Sequence, residues 1–110
     1  MSVYLETVFL EPIEIRLKRW HKETMGDPTL GAILLKLEEE YSELLEAVAL
    51  AKTPQQIGEE MADVYIVMVG ALSRHFKIDF TAALEEKYLK NVRRTWEKLP
   101  NGIHRHVGED

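Results

Sequence analysis

A chain of 110 residues with 45% hydrophobic and 30% charged side chains has the size and balance of one ordered globular domain with a single hydrophobic core. Its net charge of −5 speaks against a nucleic-acid-binding surface, which needs a basic footprint. The absence of cysteine excludes disulfides and thiolate metal sites such as structural zinc.

The chain opens with MSVYLETVFLEPIEI, which carries Glu6, Glu11 and Glu14 and has no basic start followed by an apolar run, so no signal peptide is expected. No segment shows strand alternation bounded by turns, and MSVYLETVFL is the only stretch with room for a short strand. A first helix, bearing Trp20 and His21, is predicted over about 12–24, with Pro12 in its first turn. A second follows over about 28–51, with Asp27 as N-cap and Pro28 in the first turn. The third is predicted over about 54–76 from Thr53-Pro54-Gln55-Gln56, a capping box in which Gln56 reaches back to Thr53. The fourth runs over about 79–98 with Asp79 as N-cap. Residues 99–110 form a tail with a turn at Asn101-Gly102, followed by His104 and His106, and are read as a frayed terminus. The expected architecture is thus all-α: one domain over 1–110, with its core in about 12–98. Helices two and three form an antiparallel hairpin because so little chain separates them. The longest apolar stretch, Val64 to Leu72, is far short of the roughly 20 residues that cross a bilayer, so no membrane partner and a cytoplasmic location are expected.

Helix two carries EEEYSELLEA over residues 38–47. At about 100° per residue, Leu30, Ile33, Leu34, Leu37, Tyr41, Leu44, Leu45 and Val48 make the core face. Glu39 and Glu46 lie opposite, toward water, and Glu38 at the far border. Glu40 and Glu43 share a stripe with Lys36 and Ala47 along one edge of that face, where carboxylates at i and i+3 converge. Helix three repeats the spacing with Glu60 and Asp63, in a segment, MADVYIVMVGAL, that is apolar on nearly every side and is expected to be buried. A buried lone carboxylate is costly unless paired or metal-bound. Glu40, Glu43, Glu60 and Asp63, brought together by the hairpin, would offer oxygen ligands suited to a hard divalent cation, Mg²⁺ or Mn²⁺. The competing readings are solvated glutamates and an ion pair of Asp63 with Arg74 or Lys36. A di-iron site is disfavoured, since none of the four histidines has a glutamate three positions before it.

Acids dominate residues 38–63, whereas the EEKYLKNVRRTWEKLP segment is basic. On a continuous helix Lys87, Asn91, Arg94 and Lys98 share a face suited to phosphate oxygens, with Arg93 pointing elsewhere and Val92 and Trp96 opposite. Lys36 is added to the phosphate-binding candidates Lys87, Asn91 and Arg94.

These segments resemble the MazG-like all-α nucleoside triphosphate pyrophosphohydrolases. The resemblance rests on an EExxE motif at Glu39-Glu40-Tyr41-Ser42-Glu43, an ExxD motif at Glu60-Met61-Ala62-Asp63, and a K-x-x-x-N pair at Lys87 and Asn91 followed by Arg93 or Arg94. It covers residues from about 28 to 98. It implies a four-helix MazG-like bundle completed by oligomerisation into a homodimer or homotetramer. It also implies hydrolysis of an NTP or dNTP to the monophosphate and pyrophosphate, in the cleaning of nucleotide pools. Under it Glu40, Glu43, Glu60 and Asp63 hold Mg²⁺, Glu39 orients or deprotonates water, and Trp20 and His21 lie in the region used around the base. Phosphoribosyl-ATP pyrophosphohydrolase carries the same acidic motifs and is the second reading. A non-catalytic helical dimerisation or regulatory module is the third.

Overall fold

The computed structural model describes residues 10–108. The strand considered for MSVYLETVFL falls almost wholly outside them. The chain divides into two compact units, one up to Ile78 and one from Asp79 onward.

The first unit is helical. Helix α1 (Ile13–Met25) starts at Pro12, whose carbonyl accepts from Ile15 and Arg16. It ends at Gly26, which turns the chain with φ of 70° while its N–H bonds to Lys22 O. Helix α2 (Leu30–Ala49) is capped by Thr29, whose hydroxyl accepts from Ala32 N at 3.2 Å. The predicted cap, Asp27, is instead drawn into ion pairs with Lys22 and Arg74. Helix α3 (Pro54–Ile66) begins at the predicted capping box, with both of its hydrogen bonds formed. Only Leu50 to Thr53 separate α2 and α3, and Ala51 turns the corner at φ of 52°, so the two pack as an antiparallel hairpin.

Beyond Ile66 the helix widens into a π turn over Val67–Ser73, which the sequence did not signal. This turn, and not the whole of helix three, is the buried part: Val67, Val69, Gly70, Ala71 and Ser73 are inside, whereas α3 itself has no fully buried residue. The core is small, with Ile33, Val67 and Ala71 at its centre and Leu37 and Leu72 packed on it. Most of the predicted core face of α2 lies outside it. Leu34, Tyr41, Leu45 and Val48 are each about half exposed, at 48%, 53%, 52% and 55%. Among the described residues no helix is long and apolar enough to cross a membrane.

The second unit starts with α4 (Phe80–Arg93), capped as predicted by Asp79, which accepts from Ala82 N at 3.0 Å. The predicted helix to residue 98 stops short. Arg94 adopts an extended conformation, and β1 (Thr95–Lys98) pairs antiparallel with β2 (His104–Val107). The tail read as frayed is therefore a β-hairpin, turned at the predicted Asn101-Gly102 with Gly102 at φ of 87°. Leu99 N bonds to Ile103 O at 2.7 Å, and Trp96 Nε1 donates to Asn91 O at 2.8 Å, tying the hairpin back to the helix end.

Candidate active site

The i, i+3 spacing within each motif and the tight α2–α3 turn bring together three of the four carboxylates expected to converge. Glu40, Glu60 and Asp63 each bring a carboxylate oxygen within 4.8 Å of the others. Glu40 is 7% exposed, and Oε2 of Glu40 and Oε2 of Glu60 are buried with no hydrogen-bond partner among the described residues. Buried anionic oxygens without donors are costly, and nearby carboxylates repel one another. A hard divalent cation satisfies both demands, and an all-oxygen donor set is what Mg²⁺ and Mn²⁺ take. The residues therefore fit such an ion.

Asp63 stands at the exposed edge of this cluster and not in the buried setting expected for it. Neither proposed ion pair forms. Arg74 is engaged by Asp27 and by His21, and Lys36 by Glu40 at 3.0 Å and Glu39 at 3.6 Å. The hydrogen bond to Glu40 and the charges of Glu40 and Glu39 raise the Lys36 ammonium above its ordinary value. Glu43, one turn along from Glu40, is not within the converging trio, but the charge of Glu40 and a hydrogen bond to it push its carboxyl above the usual range. Glu39 is exposed, as predicted.

Two cavities flank the cluster. One, of about 310 Å³, is polar and is lined by Glu43, Glu46, Lys52, Gln56, Glu59 and Glu60 among others. The other, of about 470 Å³, is mainly apolar and runs from Glu40, Asp63 and Lys36 to Trp20, His21 and Met25, floored by Ile33, Val67 and Ala71. Trp20 and His21 thus share a cavity with two of the acidic residues. No local pattern in α1 shows this; it depends on α1 packing on the π turn.

His21 is held there firmly. Its Nδ1 lies 3.1 Å from Arg74 Nη2, and an ideal Cβ on Gly70 would come 3.3 Å from His21 Cβ, a tight contact that a larger residue could make only if His21 shifted by a few tenths of an ångström. Burial first, and the Arg74 charge second, hold His21 below its ordinary pKa. Arg74 entered the sequence reading only as a partner for Asp63; its contacts with α1 and its C-terminal loop are tertiary and leave no sequence signal.

The basic candidates of the second unit divide. Lys87 and Asn91 lie on α4, but Arg94 leaves the helix and donates to Asn91 Oδ1 at 3.0 Å, and Lys98 sits on β1. The continuous four-residue face predicted for them does not form, because the helix ends at Arg93.

No family model matches the chain. Over 88 residues, 80% of its length, it is 35% identical to a dATP/dGTP diphosphohydrolase of Salmonella phage PMBT28. It spans only 28% of that relative's length. A solved structure, the cyanophage S-2L MazG-like pyrophosphohydrolase bound to dGDP and three catalytic Mn²⁺ ions per active site, superposes with a TM-score of 0.63 at 28% identity, covering 86% of this chain and 93% of that one. In sequence and fold the chain is similar to a MazG-like pyrophosphohydrolase. The MazG-like fold accounts for the all-helical first unit and for the convergence of the EExxE and ExxD motifs across one hairpin.

Proposed function

We propose that this MazG-like chain is a Mg²⁺- or Mn²⁺-dependent pyrophosphohydrolase that converts a deoxynucleoside triphosphate and water to the monophosphate and pyrophosphate, in the cleaning of nucleotide pools. The observation that carries the reading is the pair of donor-less buried oxygens on Glu40 and Glu60, beside Asp63, where Glu40 and Asp63 also line an apolar cavity of nucleoside size. The dATP/dGTP diphosphohydrolase activity of one relative and the dGDP and Mn²⁺ bound by the other point the same way.

Glu40, Glu60 and Asp63 hold the cation, with Glu43 joining from the next turn of α2. When bound, the cation supplies positive charge to phosphate oxygens and lowers the pKa of water. The base stacks in the apolar cavity against Trp20 and beside His21, which places the α-phosphate near the carboxylates. Glu39 takes the proton of the attacking water as its oxygen bonds to the α-phosphorus. The bond from that phosphorus to the bridging oxygen then breaks, and pyrophosphate departs. Lys36 binds the phosphate tail and offsets the charge that builds on the leaving group. The half-exposed apolar groove along Leu34, Leu37, Tyr41, Val64 and Met68 supports a homo-oligomer, dimer or tetramer.

The test is pyrophosphate release from a panel of ribo- and deoxynucleoside triphosphates and phosphoribosyl-ATP, with Mg²⁺ or Mn²⁺. Turnover of a deoxynucleoside triphosphate is expected. Turnover of phosphoribosyl-ATP alone would assign the chain to the histidine-pathway reaction, and none at all would leave a non-catalytic module.

A further inference from the structure

The network around His21 is more elaborate than packing requires. Arg74 donates from Nε to Gly70 O at 3.0 Å, from Nη1 to Asp27 Oδ1 at 2.7 Å, and from Nη2 to Gly26 O at 2.6 Å. Its remaining contact is Nη2 to His21 Nδ1 at 3.1 Å. A guanidinium has donors and no acceptor, so Nδ1 must accept, and the imidazole proton resides on Nε2. The Cδ2 edge of the ring rests on Gly70, 3.4 Å from where a Cβ would stand. Nε2 has no protein partner among the described residues and is not among their sealed, unpartnered atoms, while His21 lines the apolar cavity.

We propose that Arg74 is a positioning residue that fixes His21 as an Nε2–H donor, and that this donor reads a hydrogen-bond acceptor on the edge of the nucleobase. The proposal rests on the nucleotide-binding reading above and adds to it a determinant of base recognition outside the acidic motifs. Arg74 suits the task because its planar fork is anchored on three sides before it meets the ring. The latch joins the π turn to the C-terminal end of α1, so the ring is fixed by two elements and not by its own rotamer preference. A lysine or glutamine could reach one of these acceptors but not hold all of them. A fixed donor discriminates by leaving itself unpaired when the base lacks an acceptor there. The other charged groups near the latch are Lys22, paired with Asp27, and Lys36, Glu40 and Asp63 farther along the same cavity.

The experiment combines long-range ¹H–¹⁵N spectra of His21 with kinetics of Arg74→Gln. In the wild-type chain the spectra should show an unprotonated Nδ1 and a protonated Nε2. Saturating dGMP should shift Nε2, and deoxyribose 5-phosphate, which lacks a base, should not. In Arg74→Gln both tautomers should appear and KM for dATP and dGTP should rise roughly tenfold, as for one lost hydrogen bond. Inhibition by inorganic tripolyphosphate, which tests only the tail and cation region, should be unchanged. A proton on Nδ1 in the wild type, an equal Nε2 shift with the base-free phosphate, or a matching loss of tripolyphosphate affinity would overturn the proposal. Should Arg74→Gln fail to fold, Asp27→Asn loosens the same anchor at an exposed position and should move tautomer and KM in the same direction. A wild-type chain that turns over no triphosphate sinks the enzymatic reading, while the tautomer and the dGMP response still decide this one.

Discussion

Glu40 and Glu60, on the two arms of the α2–α3 hairpin, each bury a carboxylate oxygen that no hydrogen-bond donor reaches among the described residues. Ligand binding to the folded state alone adds stability in proportion to RT ln(1 + [L]/Kd), about 2.7 kcal/mol at a hundredfold excess over Kd. Mn²⁺ or Mg²⁺ should therefore raise the melting temperature by several degrees, and EDTA should reverse the gain. A melting curve indifferent to both ions would remove the cation from the site.

Asp63 separates catalysis from folding. It is exposed and stands among like charges, with neither Arg74 nor Lys36 pairing to it. Asp63→Asn should lose turnover and cation stabilisation yet melt, without metal, no lower than the wild type, because it relieves repulsion. A clear fall in the metal-free melting temperature would show that the carboxylate has a structural partner. Glu39→Gln should behave differently, keeping the cation-induced shift while losing turnover.

Lys36 pairs with Glu40, the carboxylate that the proposed cation would also use. Their 3.0 Å pair joins a half-exposed ammonium to a carboxylate whose side chain is only 10% exposed. Lys36→Met should lower the metal-free melting temperature, because it leaves the mostly buried Glu40 carboxylate without its cationic partner. It should also bind Mn²⁺ more tightly, since a positive charge has left the site. Calorimetric titration reads the affinity, and weaker binding would mean that Lys36 orders the carboxylates and does not oppose the ion.

These residues were legible in the sequence because their placement is local. Glu40, Glu60 and Asp63 need only helical spacing and a short turn, and Thr53 with Gln56 announces that turn by its own hydrogen bonds. The apolar cavity was not legible in the residue spacing, because Trp20 and His21 acquire their setting from a π turn whose sequence, VMVGALS, reads as an ordinary apolar helix. The β-hairpin was hidden for a related reason. The spacing of Lys87, Asn91, Arg94 and Lys98 fits a helix, and only the cross-strand pairing of Trp96 with His106 and Glu97 with Arg105 favours strands. The core face of α2 was over-read, since periodicity shows which side of a helix is apolar but not what covers it.

His21 makes stability depend on pH in a defined sense. Its folded pKa lies below the ordinary 6.5 through burial and the Arg74 charge, so between the two values the unfolded chain binds the extra proton. Its contribution is complete above about 6.5 and is lost as pH falls toward the folded value. Glu43, raised by Glu40, acts in the opposite sense, and Asp27, lowered by Lys22 and Arg74, matters only nearer pH 4. The difference between the wild type and His21→Gln therefore isolates the histidine. Denaturant melts from pH 7.5 to 5 should show the wild type losing stability faster than the variant; parallel curves would mean that His21 titrates as in water.

The exposed side of α2 predicts association. Leu34 and Tyr41 are about half exposed, at 48% and 53%, and with Leu37, Val64 and Met68 they line one shallow apolar groove of about 380 Å³. Apolar surface gathered in one groove, and not scattered singly, is characteristic of an interface. A self-complementary contact between two copies would complete the core face that periodicity assigns to α2. Tyr41→Asp would bury a charge there without a partner, which a dimer cannot absorb and an exposed monomer surface can. Light scattering should therefore give a dimer or tetramer for the wild type and a monomer for Tyr41→Asp, with helicity unchanged by circular dichroism. A monomeric wild type would leave the groove without this role.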